Sequence, residues 1–328
     1  MSMRGQKARK PINSSVSHLR MTLTHRNFSS TFPSPAVLPE WAGRLVRQAR
    51  PTSVALENLG ATLHLQQLSE VSLVRAVLPG AASLPPEEFQ RRTTELYLAI
   101  RDALVETPAP HPVRFWNCLP DIHVPTGPDT DRYMTFNAGR FAAFERWFGG
   151  AKELGVAVPS ASAVGHHQEE LVIHALACPE RGRAVCNPRQ IAPYRYSRRF
   201  GPLPPCFARA TVIDEPTPMI LVGGTASIRG EESVHLDDLH RQAEETFENL
   251  ACLVAHASAP ERAYVSSERS EWLKRFRSLR VYYPRSTDLP TIQSLVADGF
   301  THLASAEFVG ADLCRAELLI EIEGAAEA

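Results

Sequence analysis

The stretch "PPEEFQRRTTELYLAIRDALVETPAPHPVRFWN", residues 85–117, sets the architecture. Phe89, Leu96, Ile100 and Leu104 fall on one face of a helix with 3.6 residues per turn, and Pro85–Pro86 suits its first turn. A short strand-like run, Val113–Asn117, follows. A second helical stretch, "DRYMTFNAGRFAAFERWF" (131–148), comes next, and the half closes on the apolar strand "EELVIHALA" (169–177).

The same order returns downstream. "LDDLHRQAEETFENLACLV" (236–254) spaces its apolar positions three or four apart. The strand-like "LRVYY" (279–283), the helical "DLPTIQSLVADGF" (288–300) and the strand "ELLIEIEGA" (317–325) follow it. Strand-like runs precede each helix pair, at 53–66 and 218–230. The order predicts an α/β (α+β) fold made of two related β-β-α-β-α-β units, each a sheet with helices on one face. Many α/β chains alternate in this way, and the sequence echo between the halves is slight: Val-Arg-Phe-Trp at 113–116 against Leu-Arg-Val-Tyr at 279–282. The stretch "PRQIAPYRYSRRFGPLPPCFARA" (188–210) has no helical period and is rich in Pro, Arg and Tyr, so it reads as an ordered connector. The expected divisions are a basic flexible tail over 1–39, an N-terminal domain over 40–187 and a C-terminal domain over 188–328.

Composition narrows the function classes. A chain of 328 residues exceeds what one small core fills. The net charge of −1 removes any bulk electrostatic argument for a nucleic-acid or membrane-surface partner. No run of about 18 apolar residues is present, so no membrane span is expected. The six cysteines are scattered and form no CxxC pair, which argues against a disulfide framework or a structural zinc and for a reducing cytoplasm. Before Glu40 there are six Lys and Arg residues and no acid. Such a composition describes a transit peptide or a flexible tail, and the lack of a clear amphipathic helix favours the tail.

No phosphate loop, dinucleotide fingerprint, GxSxG elbow or HExxH is found, and neither a metal site nor a cofactor is expected. His166 and His167 are adjacent, so on a strand they point to opposite faces and do not converge on one metal. Arginine beside tyrosine is the recurrent signal. On a helix, Tyr133, Asn137 and Arg140 share a face at i, i+4 and i+7. "PYRYSRR" supplies Tyr194 and Arg195, and "CFARA" sets Arg209 among small and apolar residues, where an unpaired charge is unfavourable. The planar guanidinium fork suits carboxylates, either a ligand's or the protein's own. In "VGGTASIRG" (222–230), Gly223, Gly224 and Ala226 permit close approach of a ligand, or else mark a β-bulge.

The chain nearly ends with "ADLCRAELLIEIEG" (311–324). From 317 it alternates as a strand, with Leu318, Ile320 and Ile322 on one face and Glu317, Leu319, Glu321 and Glu323 on the other. By pattern alone the three glutamates are equivalent, and Cys314 reads as a plain buried thiol.

Five motifs in order, "RYMTFNAGR", "YRYSRRFGP", "FARA", "GGTASIRGEESVH" and "CRAELLIEIEG", resemble the bacterial chorismatases, including the 3-hydroxybenzoate synthases, over roughly residues 40–324. The C-terminal half also looks like the reactive-intermediate deaminase fold, a unit that is usually trimeric. This implies a cytosolic, cofactor-free enzyme, monomer or homotrimer, that removes pyruvate from chorismate. Glu321 matches the family's catalytic glutamate. Cys314 matches the cysteine of the 3-hydroxybenzoate-forming subgroup. Arg140, Tyr133, Asn137, Tyr194, Arg195 and Arg209 are the implied holders of the substrate's two carboxylates, with Ala226 beside them. Two departures mix the subgroups: Ala226 in "GTASI" resembles the hydrolytic enzymes, and Glu231 stands where histidine is expected. The mixture suits the subgroup that forms both 3- and 4-hydroxybenzoate. The alternatives are a hydrolytic chorismatase, giving a dihydroxycyclohexadiene carboxylate, and an imine deaminase of the same superfamily. One geometric demand follows. Seven residues of extended strand would separate Cys314 from Glu321 by roughly 23 Å, so the chain must turn near 314–317 if both are to face one pocket.

Overall fold

The computed structural model describes residues 34–150, 153–214 and 218–328. The tail expected over 1–39 lies outside the described residues up to position 33. Residues 34–39 are docked on the body: His174 Nε2 meets the carbonyl of Ala36 at 2.9 Å, Cys118 Sγ donates to that of Pro35, and Arg280 Nη1 donates to that of Val37 at 2.6 Å. They lead into α1 (Glu40–Leu45).

The first repeat runs β1 (Thr52–Leu56), β2 (Ala61–Gln67), β3 (Ser72–Leu78), α2 (Pro86–Val105) and β4 (His111–Pro120). A small hairpin of β5 (Pro125–Gly127) and β6 (Thr130–Asp131) leads to α3 (Arg132–Phe148), the single turn α4 (Leu154–Ala157), β7 (Ser160–His166) and β8 (Leu171–Cys178). The second runs β9 (Arg183–Val185), β10 (Ala210–Ile213) and β11 (Met219–Ala226), then the hairpin β12 (Ile228–Arg229) and β13 (Glu232–Ser233). It continues with α5 (Leu239–Ser258), α6 (Arg269–Leu273), β14 (Phe276–Tyr283), α7 (Leu289–Gly299), β15 (Ser305–Gly310) and β16 (Glu321–Glu327).

The two sheets have the same topology. One is ordered β1-β2-β3-β8-β4-β7 and the other β9-β10-β11-β16-β14-β15. In each, only the last pair is parallel, β4 with β7 and β14 with β15. Each unit thus carries two strands beyond the expected β-β-α-β-α-β order, one before its first long helix and one after its last. β7 is "SASAVGH", with no β-branched run to signal a strand. The start of β16 also differs. The strand begins at Glu321, and residues 314–317 form a turn closed by Leu318 N–H on the carbonyl of Arg315 at 3.1 Å.

Helix ends follow local chemistry. The Asp131 carboxylate accepts from Met134 N–H at 2.8 Å and starts α3, Gly149 at φ 96° ends it, and Asp238 caps α5 in the same manner. Helices α2 and α3 pack on the outer face of the first sheet through Phe89, Leu96, Tyr97, Ile100, Phe136 and Phe144. Helices α5 and α7 pack on the second through Phe247, Leu250, Val254, Ile292 and Val296, against Ile320 and Ile322. Each such side chain contributes about 1.5–3 kcal/mol by burial. The inner faces of the sheets meet each other. Leu73, Val113, Trp116, Leu176, Leu221 and Ala325 form this inner layer with Ala42 and Val46 of α1 and its following turn. Ser160 bridges the sheets, its N–H donating to Thr211 Oγ1 at 2.8 Å and its hydroxyl to the Leu221 carbonyl at 2.9 Å.

Candidate active site

The seam between the sheets is where the polar residues of the sequence are buried. The three C-terminal glutamates, equivalent by pattern, part company there. Glu317 lies in the turn, is exposed, and accepts from Ser233 Oγ at 2.7 Å. Glu323 is 1 % exposed and fully bonded: Arg114 Nη2 donates to Oε2 at 2.7 Å, Trp116 Nε1 donates to Oε1 at 2.7 Å, and the Ser162 hydroxyl also donates to Oε2. Glu321 is 4 % exposed and has one weak partner, the Cys314 thiol, 3.9 Å from Oε2.

Burial disfavours the charged form of Glu321, and the Glu323 charge adds to it. Together, against the pull of Arg209 and Arg114, they push its carboxyl up to about 8. At neutral pH it therefore keeps its proton. Burial pushes the Cys314 thiol up to about 12, so it is no thiolate nucleophile.

β-sheet register places Glu321 between Ala226 of β11 and Tyr282 of β14. A register shift between Val222 and Thr225 is the bulge anticipated as one outcome for "VGGTASIRG". The missing side chain at Gly224 serves the acid itself, since a Cβ there would overlap Glu321 Oε1. Gly223 lets the sheets approach, because a Cβ would come 2.7 Å from the Ala161 carbonyl oxygen.

A narrow cleft opens onto the acid. Of the expected residues, Tyr133, Arg140, Arg209, Ala226, Cys314 and Glu321 line it. The turn at 314–317 meets the geometric demand: seven residues apart in sequence, thiol and carboxyl are in contact. Asn137 stands behind the wall, its Oδ1 accepting from Arg140 Nη2 at 2.8 Å. Tyr194 and Arg195 do not line the cleft. Tyr194 lies 3.5 Å from Cys186 Sγ, and Arg195 stacks on the Tyr194 ring in a turn of the connector. Helical spacing cannot place a residue of an irregular connector, so these two were not separable from Tyr196 by sequence.

Arg140 and Arg209 are 1 % and 3 % exposed, and among the described residues neither forms a salt bridge. Arg114 and Arg280, equally buried, are paired with Glu323 and Glu307. Among the described residues, Arg140 Nε and Nη1 and Arg209 Nε have no hydrogen-bond partner. Each guanidinium is held by aromatic faces and a single bond, Arg209 Nη2 donating to Tyr196 Oη at 2.5 Å. Two buried cations with unused donors, beside a protonated acid, have the chemistry to pair with an anion that carries two acidic groups.

Sequence reasoning missed Phe207, Ser162, Arg114 and Gln242, and from "PYRYSRR" it chose Tyr194 and Arg195 rather than Tyr196, the residue that meets Arg209. Gln242 fixes the turn after Cys314 with both ends of its amide, donating to the Glu317 carbonyl at 3.0 Å and accepting from Leu319 N–H at 2.8 Å. His166 is buried while His167 is exposed and sits 3.1 Å from Asp121. Among the described residues no cluster of three His, Cys, Asp or Glu is arranged to hold a metal, and no helix is long and apolar enough to cross a membrane.

Fold and cleft together define a duplicated two-sheet α+β protein with a cleft on the seam that is lined by buried arginines and a buried carboxyl. Residues 61–177 match the family model described as "Chorismatase FkbO/Hyg5-like, N-terminal". The chain is 30% identical over 251 residues to a 3-hydroxybenzoate synthase of Streptomyces hygroscopicus, spanning 74% of this chain and 72% of that protein. It is 28% identical to a chorismatase of Streptomyces rapamycinicus, spanning 75% and 73%. A crystal structure of a chorismatase superimposes with a TM-score of 0.69 at 24% identity, over 84% of this chain and 80% of the other. The chain belongs to the chorismatase family.

Proposed function

We propose that this protein converts chorismate into a hydroxybenzoate and pyruvate, with 3-hydroxybenzoate the main product and 4-hydroxybenzoate formed beside it. The observation that carries the reading is the pairing of a buried, protonated Glu321 with two buried arginines that lack a carboxylate of their own. Chorismate bears two carboxylates, one for each arginine. Its enolpyruvyl ether leaves readily only after protonation on the methylene carbon, and an acid with a pKa near the working pH does this best.

In this mechanism Glu321 donates its proton to the methylene carbon. The side chain becomes an oxocarbenium, and the ring hydroxyl displaces it intramolecularly, so that the C–O bond to the ring breaks and pyruvate departs. The epoxide-like ring intermediate then opens and loses a ring proton to become aromatic. One proton enters the side chain and one leaves the ring, and no water is consumed. The hydrolytic outcome consumes one water. In this reading Cys314, a neutral thiol packed against the apolar cluster that holds Leu318, Val164 and Ile228 and in contact with Glu321, keeps water from the reacting ring and favours the intramolecular route.

A coupled pyruvate assay with chorismate tests the reaction, and chromatography of the organic product tests its course. Pyruvate with 3- and 4-hydroxybenzoate is expected. No pyruvate above background rejects the reading, and a dihydroxycyclohexadiene carboxylate as main product moves the protein to the hydrolytic group.

A further inference from the structure

The two unpaired arginines of the cleft share one ring. The Arg140 guanidinium lies 5.4 Å from the centroid of Phe207, and that of Arg209 lies 5.2 Å from it. Arg140 comes from α3, and Phe207 and Arg209 lead into β10. The connector is pinned at this point: Ala208 N–H donates to the Pro159 carbonyl and Arg209 N–H to that of Val185, both at 3.0 Å. Phe207 is thus a stiff side chain on a fixed backbone, in cation–π distance of both charges. The outer sides are held as well, Arg140 by the Phe136 ring at 5.3 Å and Arg209 by the Tyr196 ring at 5.9 Å.

We propose that Phe207 is a positioning residue that sets the spacing of the two anion-binding arginines and so selects dicarboxylates over monocarboxylates. The inference rests on the chorismate reading and adds to it what fixes ligand class. Two like charges in a buried site repel each other, and neither has a protein carboxylate to hold it. The electron-rich faces of one ring attract both, and its rigidity fixes their separation without an acid that a ligand would have to displace. A ligand with two carboxylates satisfies both guanidinium groups. A ligand with one leaves a buried cation unpaired.

The test measures binding by calorimetry in the full chain carrying Glu321→Gln, which is expected to hold chorismate without turning it over. Chorismate and 3-hydroxybenzoate are the two ligands. Phe207→Leu should weaken chorismate about 10-fold while changing 3-hydroxybenzoate by less than about 3-fold, and Phe207→Tyr should restore the wild-type ratio. Phe207→Met repeats the measurement at closer volume, with circular dichroism recording whether each variant is folded. Equal weakening of both ligands, an unchanged ratio, or a ratio that Tyr fails to restore overturns the proposal and leaves the chorismate reading intact. Failure of the Phe207-intact protein to bind chorismate overturns both.

Discussion

At Glu321 the chemistry rests on a carboxyl that keeps its proton at neutral pH, and the cause is its surroundings. Among the described residues its one side-chain hydrogen-bond partner is a thiol 3.9 Å away, while Glu323, two residues on, accepts from three donors. A group that must be protonated to act gives full activity below its pKa. Pyruvate release should therefore be flat below about pH 7 and fall as pH rises through about 8, in a pH–rate profile of kcat/KM. Glu321→Gln should lower kcat about 10³-fold while chorismate still binds, and unimpaired turnover would remove this residue from the acid's role. The same shift governs stability. The folded pKa is raised above the unfolded 4.5, so the folded state binds the proton more tightly, and stability is lost as pH rises from about 4.5 to about 8. Urea titrations at pH 5 and pH 9 should show Glu321→Gln losing less stability over that interval than the wild type. Cys314→Ala removes the thiol beside the acid and should shift the ratio of aromatic product to diene diol, read by chromatography, while pyruvate release persists.

Among the elements, β16 is decisive because it puts two carboxylates on one strand face and gives them different neighbours. Ile322 on its helix-facing side and Ile320 just before it join the outer core, whereas Leu318, next to the turn at 314–317, packs with the cluster around Cys118, Val164 and Tyr282. Glu323, Arg114, Trp116 and Ser162 form a closed buried network across the seam. Glu323→Gln leaves the Arg114 charge uncompensated and should cost about 3–5 kcal/mol in a urea melt. It also removes the negative charge that helps Glu321 hold its proton. Seen from Glu321, Arg114 and Arg209 then act without that opposition, so the basic limb of the pH–rate profile should move to lower pH. An unmoved limb with lost stability would give Glu323 a structural part alone.

Over the whole molecule, the two repeats share their inner layer. Trp116 of the first unit bonds Glu323 of the second, Ser160 bonds the Leu221 carbonyl, and α1 packs on both sheets. Neither sheet can bury its inner face without the other. Urea unfolding followed by tryptophan fluorescence and by far-ultraviolet circular dichroism should give coincident transitions, whereas two steps would mean that the repeats fold apart. The cleft draws its lining from α3, β7, β11, the connector and the turn before β16, so local loosening of either repeat should reach catalysis.

The duplication, the four long helices and the strands beside them were legible in the sequence, because a buried stripe repeats with the period of its element wherever a face meets a core. Tyr133 and Arg140 sharing one wall was legible for the same reason. β7 was not, since a strand of Ser and Ala is held by its neighbours rather than by its own propensity. Nor was the division of labour among Glu317, Glu321 and Glu323, or the part played by Tyr196 and Phe207. The sequence alone determined which elements form and, through family motifs, which glutamate to ask about. Tertiary structure alone decided which carboxyl is left bare, which arginines lack a partner and where Cys314 comes to rest. Burial and pairing are properties of what packs across the seam, from residues more than a hundred positions away, and no local pattern records them.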